Sequence, residues 1–155
     1  MEVDTTDKEL FTRVTFELAQ LMYDAGYRVT DGYWYATEAV QNRKGGWYRK
    51  NTLLDTFAMD KVKTEYLKFL IPAPKLIDAK QYLCELTGCT ITLDNLAREE
   101  MGIINFYFEG VIHKDGEEYS NENMYSTRNA TIDQTLQYLA KMFAPKITIT
   151  EKVVR

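Results

Sequence analysis

The chain has 155 residues, of which 45% are hydrophobic and 27% charged. A chain of that length buries roughly two-thirds of the surface its unfolded form exposes. It therefore folds around its own core without a disulfide or metal staple, which excludes disorder, collagen-like repeats and mini-protein scaffolds. Nineteen basic against 23 acidic residues leave a net charge of −4, which disfavours an overall cationic nucleic-acid binder but permits a local basic patch.

Residues 1–8 are polar and acidic, with no apolar stretch behind a positive charge, so no secretory signal is expected. A capping box of Thr6 and Glu9 opens an apolar stripe of Leu10, Val14, Leu18, Leu21 and Ala25, ended by Gly26. This spacing predicts a helix over about 7–25. Tyr27–Thr30 and Tyr33–Thr37 flank Asp31-Gly32, a two-residue turn signal, and predict a hairpin. The segment 38–50 carries Gly45-Gly46 and reads as a loop, with room for one helical turn at its start. Residues 51–70 fit a helix capped by Asn51 at first, and either helix or strand from Val62 to Leu70.

Pro72 and Pro74 impose an element boundary, because the residue before a proline is pushed out of the helical region. A helical stripe from Leu76 to Leu86 follows and ends at Gly88. Cys89–Leu93 alternates with period two as a strand does. Asp94–Glu100 reads as a polar connection into a longer strand over about 103–113, apolar on both faces and so central to its sheet. Asp115-Gly116 signals a hairpin into Glu117–Ser120. Thr131 and Gln134 suggest the capping box of a last helix starting near 127–131, with Ile132, Leu136, Leu139 and Phe143 on its stripe and Pro145 at its end. Lys146–Val154 alternates as a final strand or an edge-seeking tail.

The order predicts an α+β fold, an antiparallel sheet packed against two or three helices in a single compact domain. Its parts are the N-terminal helix and hairpin over about 7–37, an undetermined segment over about 38–70, and a helix–strands–helix unit over about 72–155. The sheet, built around residues 89–120, is expected to pack on the helices near 75–87 and 130–143, with the N-terminal elements docked on the same core.

The most distinctive stretch runs from Tyr23 to Lys50. Seven aromatics fall between Tyr23 and Tyr48, including Tyr33, Trp34, Tyr35, Trp47 and Tyr48. Arg43, Lys44, Arg49 and Lys50 surround Gly45-Gly46-Trp47-Tyr48, and no acid occurs from Ala39 through Leu54. Trp, Tyr and Arg dominate protein interface hot spots, so a protein partner is one reading. Single-stranded nucleic acid is another, with cations on phosphates and rings stacked on bases. The plainest reading is a hairpin whose rings alternate between a small core and solvent. The candidate binding residues are thus Arg43, Lys44, Trp47, Tyr48, Arg49, Lys50 and Trp34.

Other candidates are weaker. His113, the only histidine, lies beside Asp115, Glu117 and Glu118, where a carboxylate could tune it for acid–base work, but an exposed hairpin histidine is far commoner. Glu99-Glu100 and Glu117-Glu118 are adjacent pairs whose side chains diverge. Cys84 and Cys89 form neither a C-x-x-C redox pair nor a zinc site and are expected as reduced, partly buried thiols. No apolar run approaches the roughly 20 residues that cross a bilayer. Catalytic residues, cofactor and metal are all expected to be none, the location cytoplasmic, and no membrane partner is foreseen.

Phe16-Glu17-Leu18-Ala19 running to Ala25-Gly26-Tyr27, then Tyr33-Trp34-Tyr35, resembles the opening of a family of small phage- and prophage-encoded proteins of gut bacteria. Ile71-Pro72-Ala73-Pro74 matches that family's step into a glycine-ended helix, except that Lys75 replaces its threonine. Ala79–Gly88, Ile91 and Ser126-Thr127-Arg128 follow in the same order, while about 38–69 has no counterpart. The resemblance carries over no catalytic residue. It implies a mobile-element origin, action in the host cytosol and a non-enzymatic role.

Overall fold

Four α-helices and eight strands, all paired antiparallel, make the chain α+β in a computed structural model that describes residues 12–145. The expected Thr6–Glu9 capping box and the strand over 146–154 lie outside the described residues. Backbone proximity divides the described chain into two units, Arg13–Pro74 and Lys75–Pro145 with Thr12.

In the first unit the helix α1 spans Phe16–Asp24 and starts later than its apolar stripe suggests. The Val14 N–H donates to the Pro74 carbonyl at 3.0 Å, and Thr15 is extended. Thr15 then caps the helix, its hydroxyl accepting from the Leu18 N–H at 3.3 Å. Leu18, Ala19 and Met22 are its buried face.

The chain bends at Asp31-Gly32, with Gly32 at φ +98°, but the bend joins no hairpin. Strand β1, Tyr33–Ala36, pairs instead with β4, Leu53–Asp55, and β5, Leu70–Pro72. Tyr27–Thr30 is not a strand, and the Arg28 guanidinium donates back to the carbonyls of Tyr23 and Tyr27. The stretch expected as a loop holds a small hairpin, β2 at Val40–Gln41 and β3 at Trp47–Tyr48. Asn51 starts no helix; its φ of +73° turns the chain toward β4. The short helix α2, Thr56–Met59, is capped by Asp55, whose carboxylate accepts from the Ala58 N–H at 2.9 Å. A 3₁₀ turn at Thr64–Phe69 leads into β5. Ala36, Val40, Leu54 and Val62 form the core beneath these strands.

The second unit keeps closer to its periodicity. Helix α3, Leu76–Thr87, ends at Gly88 in the left-handed conformation, φ +75°. Strands β6 (Thr90–Glu100), β7 (Ile103–Lys114) and β8 (Glu117–Tyr119) form a sheet in that order, so β7 is central. Asp94–Glu100 is therefore strand and not connection; its polarity reflects exposure, not a break in pairing. Helix α4 spans Arg128–Phe143, and its cap is Thr127, whose hydroxyl accepts from the Ala130 N–H at 3.1 Å. Thr131 lies inside the helix, fully buried, donating to the Thr127 carbonyl at 2.7 Å; it does not cap.

Helix α4 lies on the sheet at zero clearance. A Cβ on Gly110 would stand 1.8 Å from Thr135 Oγ1, so only glycine fits. The Arg128 guanidinium stands 5.9 Å from the Phe108 ring near one end of the helix. Phe143 meets Tyr119 edge-on at 5.4 Å near the other. Between Phe108 and the turn, the β6–β7 hairpin becomes an arm exposed on both faces. Ile103, Ile104 and Phe106 there are 61–63% exposed, and Met101 at the turn is fully so. The tip is clasped by Glu100, whose carboxylate accepts from the Tyr107 hydroxyl at 2.6 Å and the Asn105 amide at 3.3 Å.

Two outcomes are expected. Gly110→Ala should cost about 3 kcal/mol in chemical denaturation, at the upper end for overpacking, and Thr135→Ala in the same chain should recover part of it. The bonds from Tyr107 and Asn105, in that order, hold Glu100 below the usual carboxylate range. The clasp is thus intact above that range and opens as pH falls through the depressed value; Tyr107→Phe should move the Glu100 titration, read by NMR, upward.

Candidate binding surface

The β2–β3 hairpin is too short to hold itself, and its rigidity comes from side chains and a distant segment. Asn42 Oδ1 accepts from the backbone N–H groups of Lys44 at 2.9 Å and Gly46 at 3.0 Å, winding the turn around one side chain. Gly45 takes φ +95° within it. Asn42 also forms a β-bridge with Val62, and the Arg43 N–H donates to the Lys61 carbonyl at 2.8 Å. The Arg43 guanidinium donates to the Asp60 carbonyl, and Lys63 Nζ donates to Gln41 Oε1 at 2.7 Å.

On this frame the sequence-predicted residues take distinct places. Trp47, opposite Gln41, is 57% exposed, with its ring edge-on to Tyr66 at 5.5 Å. Tyr48, opposite Val40, is half-buried against the core cluster. Arg43 and Lys44 stand exposed at the turn, and Arg49 and Lys50 stand exposed just beyond β3. Trp34 belongs to another sheet, half-buried in the centre strand in register with Leu54 and Pro72. The structure thus joins six of the seven around one hairpin and sets Trp34 apart.

It also adds members. Asn42, Arg43, Lys44 and Lys61 line a hollow of about 280 Å³. Lys61 lies 18 positions beyond Arg43, and no local pattern marks it; the Asn42–Val62 bridge and the Arg43 N–H bond to the Lys61 carbonyl bring it in. Lys61 Nζ also sits 3.9 Å over the Phe57 ring. The surface therefore offers one large ring flanked by cations and a hollow with cationic walls. That chemistry accepts an anionic group beside an apolar or aromatic one.

The remaining candidates have ordinary settings. His113 Nε2 is 2.8 Å from the Thr92 hydroxyl and Nδ1 is 3.6 Å from Glu118, at the exposed end of the sheet. Cys84 and Cys89 are free; burial pushes the half-buried Cys84 thiol up against the opposing pull of Lys80, which makes it a poorer nucleophile. Among the described residues, no group of three or more His, Cys, Asp or Glu side chains could hold a metal ion, and no helix is long and apolar enough to cross a membrane. No family model, curated protein or solved structure matches the chain.

Removing the Asn42 side chain frees two backbone N–H groups at once. Asn42→Ala should accelerate hydrogen exchange at the Lys44 and Gly46 amides by about tenfold or more, while the amides of β1 keep their protection.

Proposed function

We propose that the chain is a non-enzymatic binding protein of phage or prophage type, acting in the host cytosol and engaging a host or phage protein through the β2–β3 hairpin. The partner segment is acidic and carries an apolar or aromatic side chain for Trp47. The observation that carries this reading is the Trp47 ring, more than half exposed on a pinned hairpin whose exposed cations are Arg43, Lys44, Arg49 and Lys50. Exposed tryptophan flanked by arginine is the composition of an interface anchor.

Nucleic acid fits less well. A stacking platform needs several free ring faces in sequence. Of the other exposed rings in this unit, Phe57 has Lys61 over its face and Tyr33 has the Arg13 guanidinium over its own at 4.0 Å. Tyr48 faces the core cluster. Trp47 stands as a single anchor, which suits a side-chain pocket better than a run of bases.

The test is capture of partners from bacterial host lysate on the immobilised chain, with and without nuclease, followed by affinity measurement. Trp47→Ala should weaken binding by about thirtyfold, and Arg43→Ala with Arg49→Ala by about tenfold. Raising salt from low to moderate should cost less than about tenfold, against the roughly thousandfold loss of a contact to many phosphates. Capture that both variants leave unchanged sinks the reading, and capture abolished by nuclease transfers it to nucleic acid.

A further inference from the structure

The β6–β7 arm carries a second surface, independent of the hairpin reading. Pairing assigns its side chains to faces. Ile91, Leu93, Ala97, Ile104, Phe106 and Ile112 share the face on which α3 and α4 pack, but Ala97, Ile104 and Phe106 lie past the end of that helix layer. On that uncovered face Ile104 and Phe106 are 61% and 62% exposed, with Met101 fully exposed at the turn, while Ile103 is exposed on the opposite face. The outer edge of β6 is also unpaired among the described strands. Edge strands that must stay single are blunted by charge, and β6 carries Asp94, Arg98, Glu99 and Glu100.

We infer that the occupant of this edge is a second copy of the chain, with β6 pairing antiparallel to its own counterpart across a two-fold axis through Leu96. That register sets Arg98 opposite the partner's Asp94 twice, and places no acid against an acid over Thr92–Glu100. The smallest slip that keeps opposing side chains on the same face is two residues, and it sets either Asp94 against Glu100 or Arg98 against Thr92, so the edge charges select this register. An isologous interface requires such self-complementarity.

The same register puts Glu99 opposite the second copy's Leu93 on the helix-covered face. There the unit holds a hollow of about 270 Å³ lined by Lys80, Leu93, Arg128 and Ile132 among others. Arg128 Nε is buried without a hydrogen-bond partner. A carboxylate entering from the edge meets two cations, one of which lacks an acceptor for its Nε–H. The arm's Ala97, Ile104 and Phe106 are carried at the same time toward the second copy's helix layer.

Sedimentation velocity on the full chain tests this, with circular dichroism confirming that each variant folds. The wild type should show a concentration-dependent dimer. Arg98→Asp and Asp94→Arg should each raise the dimer Kd by about tenfold or more, and the two together should restore it to within about threefold. Lys80→Glu and Phe106→Ser, both away from the β6 backbone, should weaken it similarly, whereas Trp47→Ala should leave it unchanged. A chain that stays monomeric to about 100 μM, a dimer indifferent to Arg98→Asp and Lys80→Glu, or a double reversal that fails to restore pairing overturns the inference.

Discussion

The contact between Gly110 and Thr135 governs the second unit. With no side chain on one partner and a β-branched hydroxyl on the other, α4 approaches the sheet more closely than any larger residue allows. Thr135 is in turn held by its own hydroxyl, which donates to the Thr131 carbonyl at 2.6 Å. Fixing the crossing point there fixes where the helix begins, at Arg128 beside Phe108. Everything on β6 and β7 between Phe108 and the Met101-Gly102 turn is then beyond cover. The exposed arm follows from where one helix is anchored.

In the first unit the comparable constraint is the bridge between Asn42 and Val62. A hairpin with two-residue strands contributes too few hydrogen bonds to offset the entropy of its own turn. Asn42 supplies the missing bonds inside the turn, and the 60–63 segment supplies them from outside. This arrangement leaves the cations and Trp47 facing outward, because the inward positions are filled by Val40 and Tyr48. Rigid backbone beneath an exposed ring lowers the ordering cost of binding.

How legible these features were depends on whether burial had left a period in the sequence. Helices α3 and α4 and the Glu109–Lys114 half of strand β7 lie against a core, and the apolar spacing with its glycine and proline stops marks these elements within a residue or two. Asp94–Glu100 is as much a strand as Cys89–Leu93, but both its faces meet water, so alternation disappears and it reads as a connection. Ile103–Phe108 shows the converse. It is apolar on both faces, as a central strand is, although Ile103, Ile104 and Phe106 are exposed. Asp31-Gly32 signalled a change of direction, but the partners of β1 come from Leu53–Asp55 and Leu70–Pro72, and no local signal encodes that choice. The cationic cluster at 43–50 was visible as composition. Lys61 and the role of Asn42 were not, since long-range pairing creates both.

The net charge of −4 conceals a separation that bears on both surfaces. Residues 39–54 hold four cations and no acid, while the arm over 94–109 holds Asp94, Glu99, Glu100 and Glu109 against Arg98. Like charge disfavours association of the cationic hairpin with itself. The arm, anionic overall, repels nucleic acid and anionic lipid headgroups, so its exposed apolar side chains are poorly matched to either. What suits it is a surface that answers acids with Arg98, Lys80 and Arg128, and the same unit carries all three. In the proposed pairing a copy of the chain shields the arm, because a two-fold mate presents Arg98 to Asp94 and Asp94 to Arg98 in the complementary order.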